Sequence, residues 1–234
     1  MFRNLLCAVA SVCALGSGQV MAQGASGVVV ELFTSQGCSS CPPADEYLAK
    51  LAQEPGVIAL ALHVDYWDYI GWKDSFGSPA FSDRQRDYAR VMGNTSIYTP
   101  QMVIAGKDEA IGSDPDTVSG MVRRHQSAEQ QVMLQLVRQG GNVSIRATAK
   151  VALDGPLIVQ LVRYLPSASV AIKRGENAGR TISYVNTVTS WTQIGAWDGT
   201  QELNMTAPVP GDDAVAVIVQ QAGPGMIYAA SVLQ

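Results

Sequence analysis

The chain is expected to fold as an α/β domain followed by an all-β domain, and three features of the sequence carry that expectation. Two apolar runs, Val28-Val29-Val30-Glu31-Leu32-Phe33 and Val57-Ile58-Ala59-Leu60-Ala61-Leu62-His63-Val64, flank a segment with helical spacing. Strand, helix, strand with short joints is a βαβ unit with a parallel pair. From about residue 130 the period changes to two, and turn residues separate seven or so short alternating segments, as in an antiparallel sandwich.

In chain order, Val28 to Phe33 reads as a strand buried on both faces. A helix opens at Pro42-Pro43, where proline's missing donor costs nothing, and carries Tyr47, Leu48, Leu51 and Ala52 on one face. Asp45 and Glu46 fall in its first turn, where acidic groups suit the helix dipole, and Pro55-Gly56 stops it. After the second strand comes an aromatic stretch, Tyr66 to Trp72, then a helix from Ser78 or Pro79 to Met92. Ile97 to Ile104 reads as a strand entered through Thr99-Pro100. Ser113 with Asp116 forms a capping box for a helix reaching about His125. Val132-Leu136 and Val143-Ala147 form a hairpin across Gly140-Gly141-Asn142. Strands follow at 157–165, 180–188, 202–206, 214–221 and 226–233.

The first residues resemble an export signal: Arg3 is followed by an apolar run from Leu5 to Leu15, and Val20-Met21-Ala22 offers a small-x-small cut after Ala22. The run is shorter than the roughly 20 residues that span a bilayer, so the mature chain is expected to lack stable membrane insertion. Cleavage removes Cys7 and Cys13 and leaves Cys38 and Cys41. It also removes Arg3, leaving 15 of the 16 basic side chains against 20 acidic ones. That mild negative charge, with no basic cluster, gives nucleic acid no footprint. Expected boundaries are 1–22 for the signal, 23–128 for the α/β domain with an insertion at about 66–96, and 129–234 for the β-sandwich-like domain.

Cys38-Ser39-Ser40-Cys41 at the junction of strand and helix is the segment most suited to chemistry. A helix N-terminus favours thiolate over thiol, and thiolate is the nucleophile of disulfide exchange. As a staple the pair would close too small a loop to stabilise much through chain entropy. Structural zinc needs four ligands, and the mature chain adds only His63 and His125, in different elements. No resident metal is expected, and with no nucleotide, flavin or haem motif, no cofactor either.

The order strand, Cys38-x-x-Cys41, helix, strand resembles the thioredoxin superfamily, and Thr99-Pro100 resembles its cis-proline site. The resemblance implies a thioredoxin-like first domain in which Cys38 attacks, Cys41 resolves, and Thr99 and Pro100 present an extended substrate. It also implies that Glu31 matches the family's buried acid, which accepts a proton as Cys41 becomes a thiolate; a surface glutamate is the other reading. A longer match covers most of the chain. Val29 to Asp45, His63-Val64-Asp65-Tyr66-Trp67-Asp68, Tyr98-Thr99-Pro100-Gln101 and Arg174-Gly175-Glu176-Asn177-Ala178-Gly179-Arg180 resemble a secreted bacterial family with a thioredoxin-like domain (domain of unknown function 1223). His63, Asp65 and Trp67 would lie where ligands sit on an open sheet. There His63 either serves the thiolate or is a hydrogen-bonded structural histidine. Arg174, Glu176 and Asn177 either dock on the cysteine face or form a solvated hairpin tip.

The expected function is an exported thiol–disulfide oxidoreductase that exchanges disulfides with protein thiols or small thiols. Two other readings stand beside it. One is Cu(I) handling by the two cysteines with a methionine such as Met102. The other is a protein- or glycan-binding module with a regulatory disulfide.

Overall fold

The computed structural model describes residues 24–211 and 213–233. The proposed signal segment, with Cys7 and Cys13, lies outside them. Its strands are β1 (Ala25–Ser26), β2 (Val28–Thr34), β3 (Val57–His63), β4 (Gln101–Ile104), β5 (Asp108–Ile111), β6 (Val132–Gln139), β7 (Asn142–Ala149), β8 (Leu157–Ala171), β9 (Thr181–Trp197), β10 (Leu203–Pro208), β11 (Ala214–Gln221) and β12 (Ile227–Leu233). Its helices are α1 (Pro42–Leu51), α2 (Pro79–Met92) and α3 (Pro115–Gln126), with a 3-10 turn at Asp68–Ile70.

The expected fold class is overturned. An α/β thioredoxin-like domain followed by an all-β sandwich-like domain would keep the strands of the two halves in separate sheets. Instead a curled nine-stranded mixed sheet runs β1-β12-β11-β8-β9-β3-β2-β4-β5 through both halves, and β10-β7-β6 form a small second sheet. The described residues are mostly β, with three short α-helices among them. β2 and β3 are parallel in register from Val28↔Val57 to Thr34↔His63. The far edge of β3 is taken by β9 through Ala61↔Thr187. Alternation shows which side chains face a core, but an unpaired edge accepts any strand of suitable length. The two long strands β8 and β9 supply it, running well past the 157–165 and 180–188 segments expected.

Three apolar layers hold the sheets. Val30, Leu32, Ala59, Ala61 and Met102 meet Ala44, Leu48 and Leu51 of α1 and Val118 and Val122 of α3. Val29, Phe33, Ile58, Leu60 and Leu62 face the other way, toward Phe81 and Tyr88 of α2. The small sheet packs Leu134, Leu136 and Ile145 on Val159, Val215 and Val217 of the large one. Burying Leu48 and Leu51 alone contributes roughly 3–6 kcal/mol to seating α1. The N-cap of α3 is Asp114, whose carboxylate accepts from the Thr117 amide, in place of the expected Ser113.

Candidate functional site

The two faces of β2 separate the residues around the cysteines into two groups. Thr34 and, beside it in register, His63 point to the α1 side with Val30 and Leu32. Glu31 points to the α2 side with Val29 and Phe33. Beyond Thr34 the chain turns through Ser35-Gln36-Gly37 and delivers Cys38 and Cys41 to the start of α1, where they are joined in a disulfide.

Cys41 is the N-cap of α1 and makes no side-chain capping bond. Its carbonyl accepts from the Ala44 and Asp45 amides at 2.8 and 3.1 Å. Pro42 and Pro43 remove two of the donors that a helix start normally presents, so the local field comes from the remaining amides and the helix dipole. The cysteines are enclosed: Cys38 is 1% exposed and Cys41 0%, while Ser39 and Ser40 face solvent.

Two segments make the cover. In the aromatic stretch, a Cβ at Gly37 would stand 3.1 Å from Trp67 Cβ and 3.3 Å from Ile70 Cδ1. Trp67 Nε1 donates to Thr99 Oγ1 at 2.7 Å, and Trp72 Nε1 to Gln36 Oε1 at 2.8 Å. The second segment is the tip between β8 and β9. Asn177 is buried there, and its Nδ2 donates to the carbonyls of Gln36 (3.0 Å) and Cys38 (2.9 Å). Arg180 donates to Asn177 Oδ1 at 3.1 Å and fixes the amide's orientation. Ile172, Ile182 and Tyr184 pack on Trp72 and Phe76 and hold this arm against the cysteine loop. Arg174 and Glu176 point to solvent.

Beneath α1 lies a buried polar layer. His63 Nδ1 and Asp74 Oδ2 are 2.8 Å apart, with both side chains fully enclosed. Asp74 also accepts from the Gln36 and Phe76 amides. Burial pushes the Asp74 carboxyl up, but the hydrogen bond and charge of His63 and the two amides outweigh it and hold Asp74 below the usual carboxylate range. Asp45 accepts the Thr34 hydroxyl at 2.8 Å through Oδ1, and its Oδ2 has no hydrogen-bond partner among the described residues. Burial raises its pKa to about 7, with His63 and the Thr34 hydrogen bond acting against the rise. His63 Nε2, Tyr184 Oη and Thr187 Oγ1 are likewise buried without a partner among the described residues. The His63 and Tyr184 rings meet edge to face at 4.8 Å.

The remaining predicted residues fall on either side of this layer. Thr99–Pro100 is a cis peptide bond, and a Cβ at Gly112 would touch both Pro100 and Ala44, which places the proline beside α1. Asp65 accepts the Ser82 hydroxyl at 2.5 Å, at the start of α2. Met102 is in the apolar layer under α1. Glu31 is far from the expected role of acid to Cys41. Arg84 clamps it with bonds of 2.6 and 2.8 Å, Tyr88 donates to it at 2.5 Å, and the Arg84 guanidinium stacks 3.8 Å from the Trp191 ring. Asp45, Asp74 and Gln36 were missed as site residues. Asp45 reads from sequence as a dipole-compensating surface acid, although its spacing of four from Cys41 already places the two on one helix face.

Fold and site together define a mixed-sheet protein whose Cys-x-x-Cys disulfide is enclosed at a helix N-terminus by an arm of the long β8–β9 hairpin. The chain belongs to the family described as protein of unknown function DUF1223, whose model matches residues 29–220. It is similar to a structural-genomics protein of Agrobacterium tumefaciens with 34% identity and a TM-score of 0.77, covering 89% of this chain and 94% of that one. It also shares its fold with HBP35 of Porphyromonas gingivalis, at 16% identity and a TM-score of 0.62, over 89% of this chain and 75% of that one. No curated protein matches.

Proposed function

We propose that this protein is an exported thiol–disulfide oxidoreductase, exchanging disulfides with protein or small-molecule thiols through Cys38 and Cys41. The observation that carries the reading is the Cys38–Cys41 disulfide at the N-cap of α1, set over a buried layer of titratable groups. A pair serving as a staple would need neither. The pair spans two residues, so closing it removes little chain entropy, while a redox pair gains from a nearby group that can hold or release a proton. Export is supported by Arg3, the apolar run 5–15 and the small residues before position 23.

Cys38 is the sulfur attacked by an incoming thiolate and Cys41 the leaving and resolving sulfur. The enclosure of Cys38 makes access conditional: the Asn177 arm or the Trp67–Trp72 segment has to yield before a protein thiol reaches it. In the producing cell, Cys41→Ser is expected to accumulate mixed disulfides with client proteins in the extracytoplasmic fraction. Non-reducing electrophoresis with antibody to this protein reads them out. A variant that forms no such adducts, alongside a native disulfide that resists glutathione buffers throughout the oxidoreductase range of roughly −120 to −270 mV, would leave a structural crosslink in place of the redox role.

A further inference from the structure

We propose that the Asp45 carboxyl is the proton donor to Cys41 when the disulfide opens and takes the proton back when it closes. The inference rests on the redox reading above and assigns the acid that the reading requires. Asp45 follows Cys41 by four residues, and its amide bonds to the Cys41 carbonyl at 3.1 Å, so the two residues stack on one helix face. Cα–Cβ bonds in a helix tilt toward its N-terminus, which turns the Asp45 side chain back toward Cys41. Of its two oxygens, one is occupied by Thr34 and Oδ2 is buried without a hydrogen-bond partner among the described residues.

The groups facing Asp45 come from every element packed on it: Thr34 of β2, His63 of β3, Asp74 of the loop before α2, Tyr184 of β9, and Glu46 of its own helix. Asp74 is held ionised by His63 and two amides, so the His63 nitrogen beside it carries the hydrogen of their 2.8 Å bond. Burial is the largest influence on Asp45 and keeps it neutral up to about pH 7. It therefore carries a transferable proton at the pH of the reaction, which an ordinary carboxylate does not.

The step balances with a client dithiol as the reductant. One client thiolate attacks Cys38 Sγ, the Cys38–Cys41 bond breaks, and its electron pair goes to Cys41 Sγ. Asp45 passes its proton to that sulfur and becomes a carboxylate beside the His63 ring. The second client thiolate then attacks the client sulfur of the mixed disulfide. This forms the client disulfide and releases Cys38 as a thiolate, so two electrons have moved from client to pair. Oxidation of a client runs in this direction; reduction of one runs the same steps in reverse, with Asp45 taking the Cys41 proton.

The test is the second-order rate constant for opening Cys38–Cys41 with dithiothreitol, divided by the thiolate fraction of the reagent, from pH 5.5 to 8.5. In the native protein that corrected constant should fall about tenfold between pH 6 and 8 as a group with a pKa near 7 loses its proton. Asp45→Asn, which keeps the size of the side chain and still accepts the Thr34 hydroxyl, should be flat with pH. At pH 6 it should be about a hundredfold slower, the lower end of general-acid contributions. Thr34→Val removes a hydrogen bond that favours the ionised form, so its inflection should move to higher pH. A flat native profile, or a native-like profile in Asp45→Asn, overturns the assignment and leaves the redox reading intact. An inflection unmoved by Thr34→Val also overturns it. A native disulfide that dithiothreitol does not open removes the redox reading itself, and the assignment with it.

Discussion

Replacing Asp45 by Asn should change the pH dependence of folding stability in a direction and by an amount that follow from its burial. Burial raises the folded carboxyl's pKa to about 7 from its ordinary 3.8. Between those two pH values the native state holds a proton that the unfolded chain has released, so stability falls as pH rises through the window. Above pH 7 both states are ionised and the full cost is present. Three units at 1.36 kcal/mol each amount to roughly 4 kcal/mol. Asparagine has no proton to lose, so the variant lacks this slope. It brings instead a pH-independent penalty of about 1–3 kcal/mol for burying an amide group without a partner. The variant should then be less stable than the native protein near pH 4 and more stable by about 1–3 kcal/mol at pH 8. Urea unfolding of the oxidised protein at both pH values, with the slope against denaturant held common, measures the double difference. A stability difference that is the same at pH 4 and pH 8 would show that Asp45 is ionised in the fold, and the argument from burial would fail.

Two further substitutions separate the cover of the disulfide from the rest of the fold. Asn177→Ala removes two hydrogen bonds from the cysteine loop, worth together about 2 kcal/mol, and should speed opening of Cys38–Cys41 by a phosphine about tenfold to thirtyfold. An unchanged rate of thiol release would mean the arm does not limit access. Glu31→Gln leaves the Arg84 guanidinium buried without its counter-charge and should cost about 3–5 kcal/mol in urea unfolding, with no change in the pH profile of disulfide opening. An altered profile would bring Glu31 back to the cysteines.

The chain's own order of residues determined its local structure. The prolines at 42 and 43, the helical spacing of Leu48 and Leu51, and the apolar runs before and after them fixed β2, α1 and β3, because these depend on neighbours within a few residues. The same local logic placed Cys38 and Cys41 at a helix start. Only the tertiary structure decided what those elements join. Nothing within β3 specifies that its edge is completed by Thr187, more than a hundred residues later, and so one large mixed sheet takes strands from both halves of the chain. The acid beside the cysteines was decided in the same way. Glu31 and Asp45 are both carboxylates near the motif, and the family resemblance favours Glu31 because it lies on the strand before the cysteines. Period two turns Glu31 toward α2, where Arg84 neutralises it, whereas the helix turns Asp45 inward, where burial outweighs the opposing influences of His63 and Thr34. The balance between burial and neighbouring charge is a property of the assembled layers of a fold, and that is why it could not be read from the chain alone.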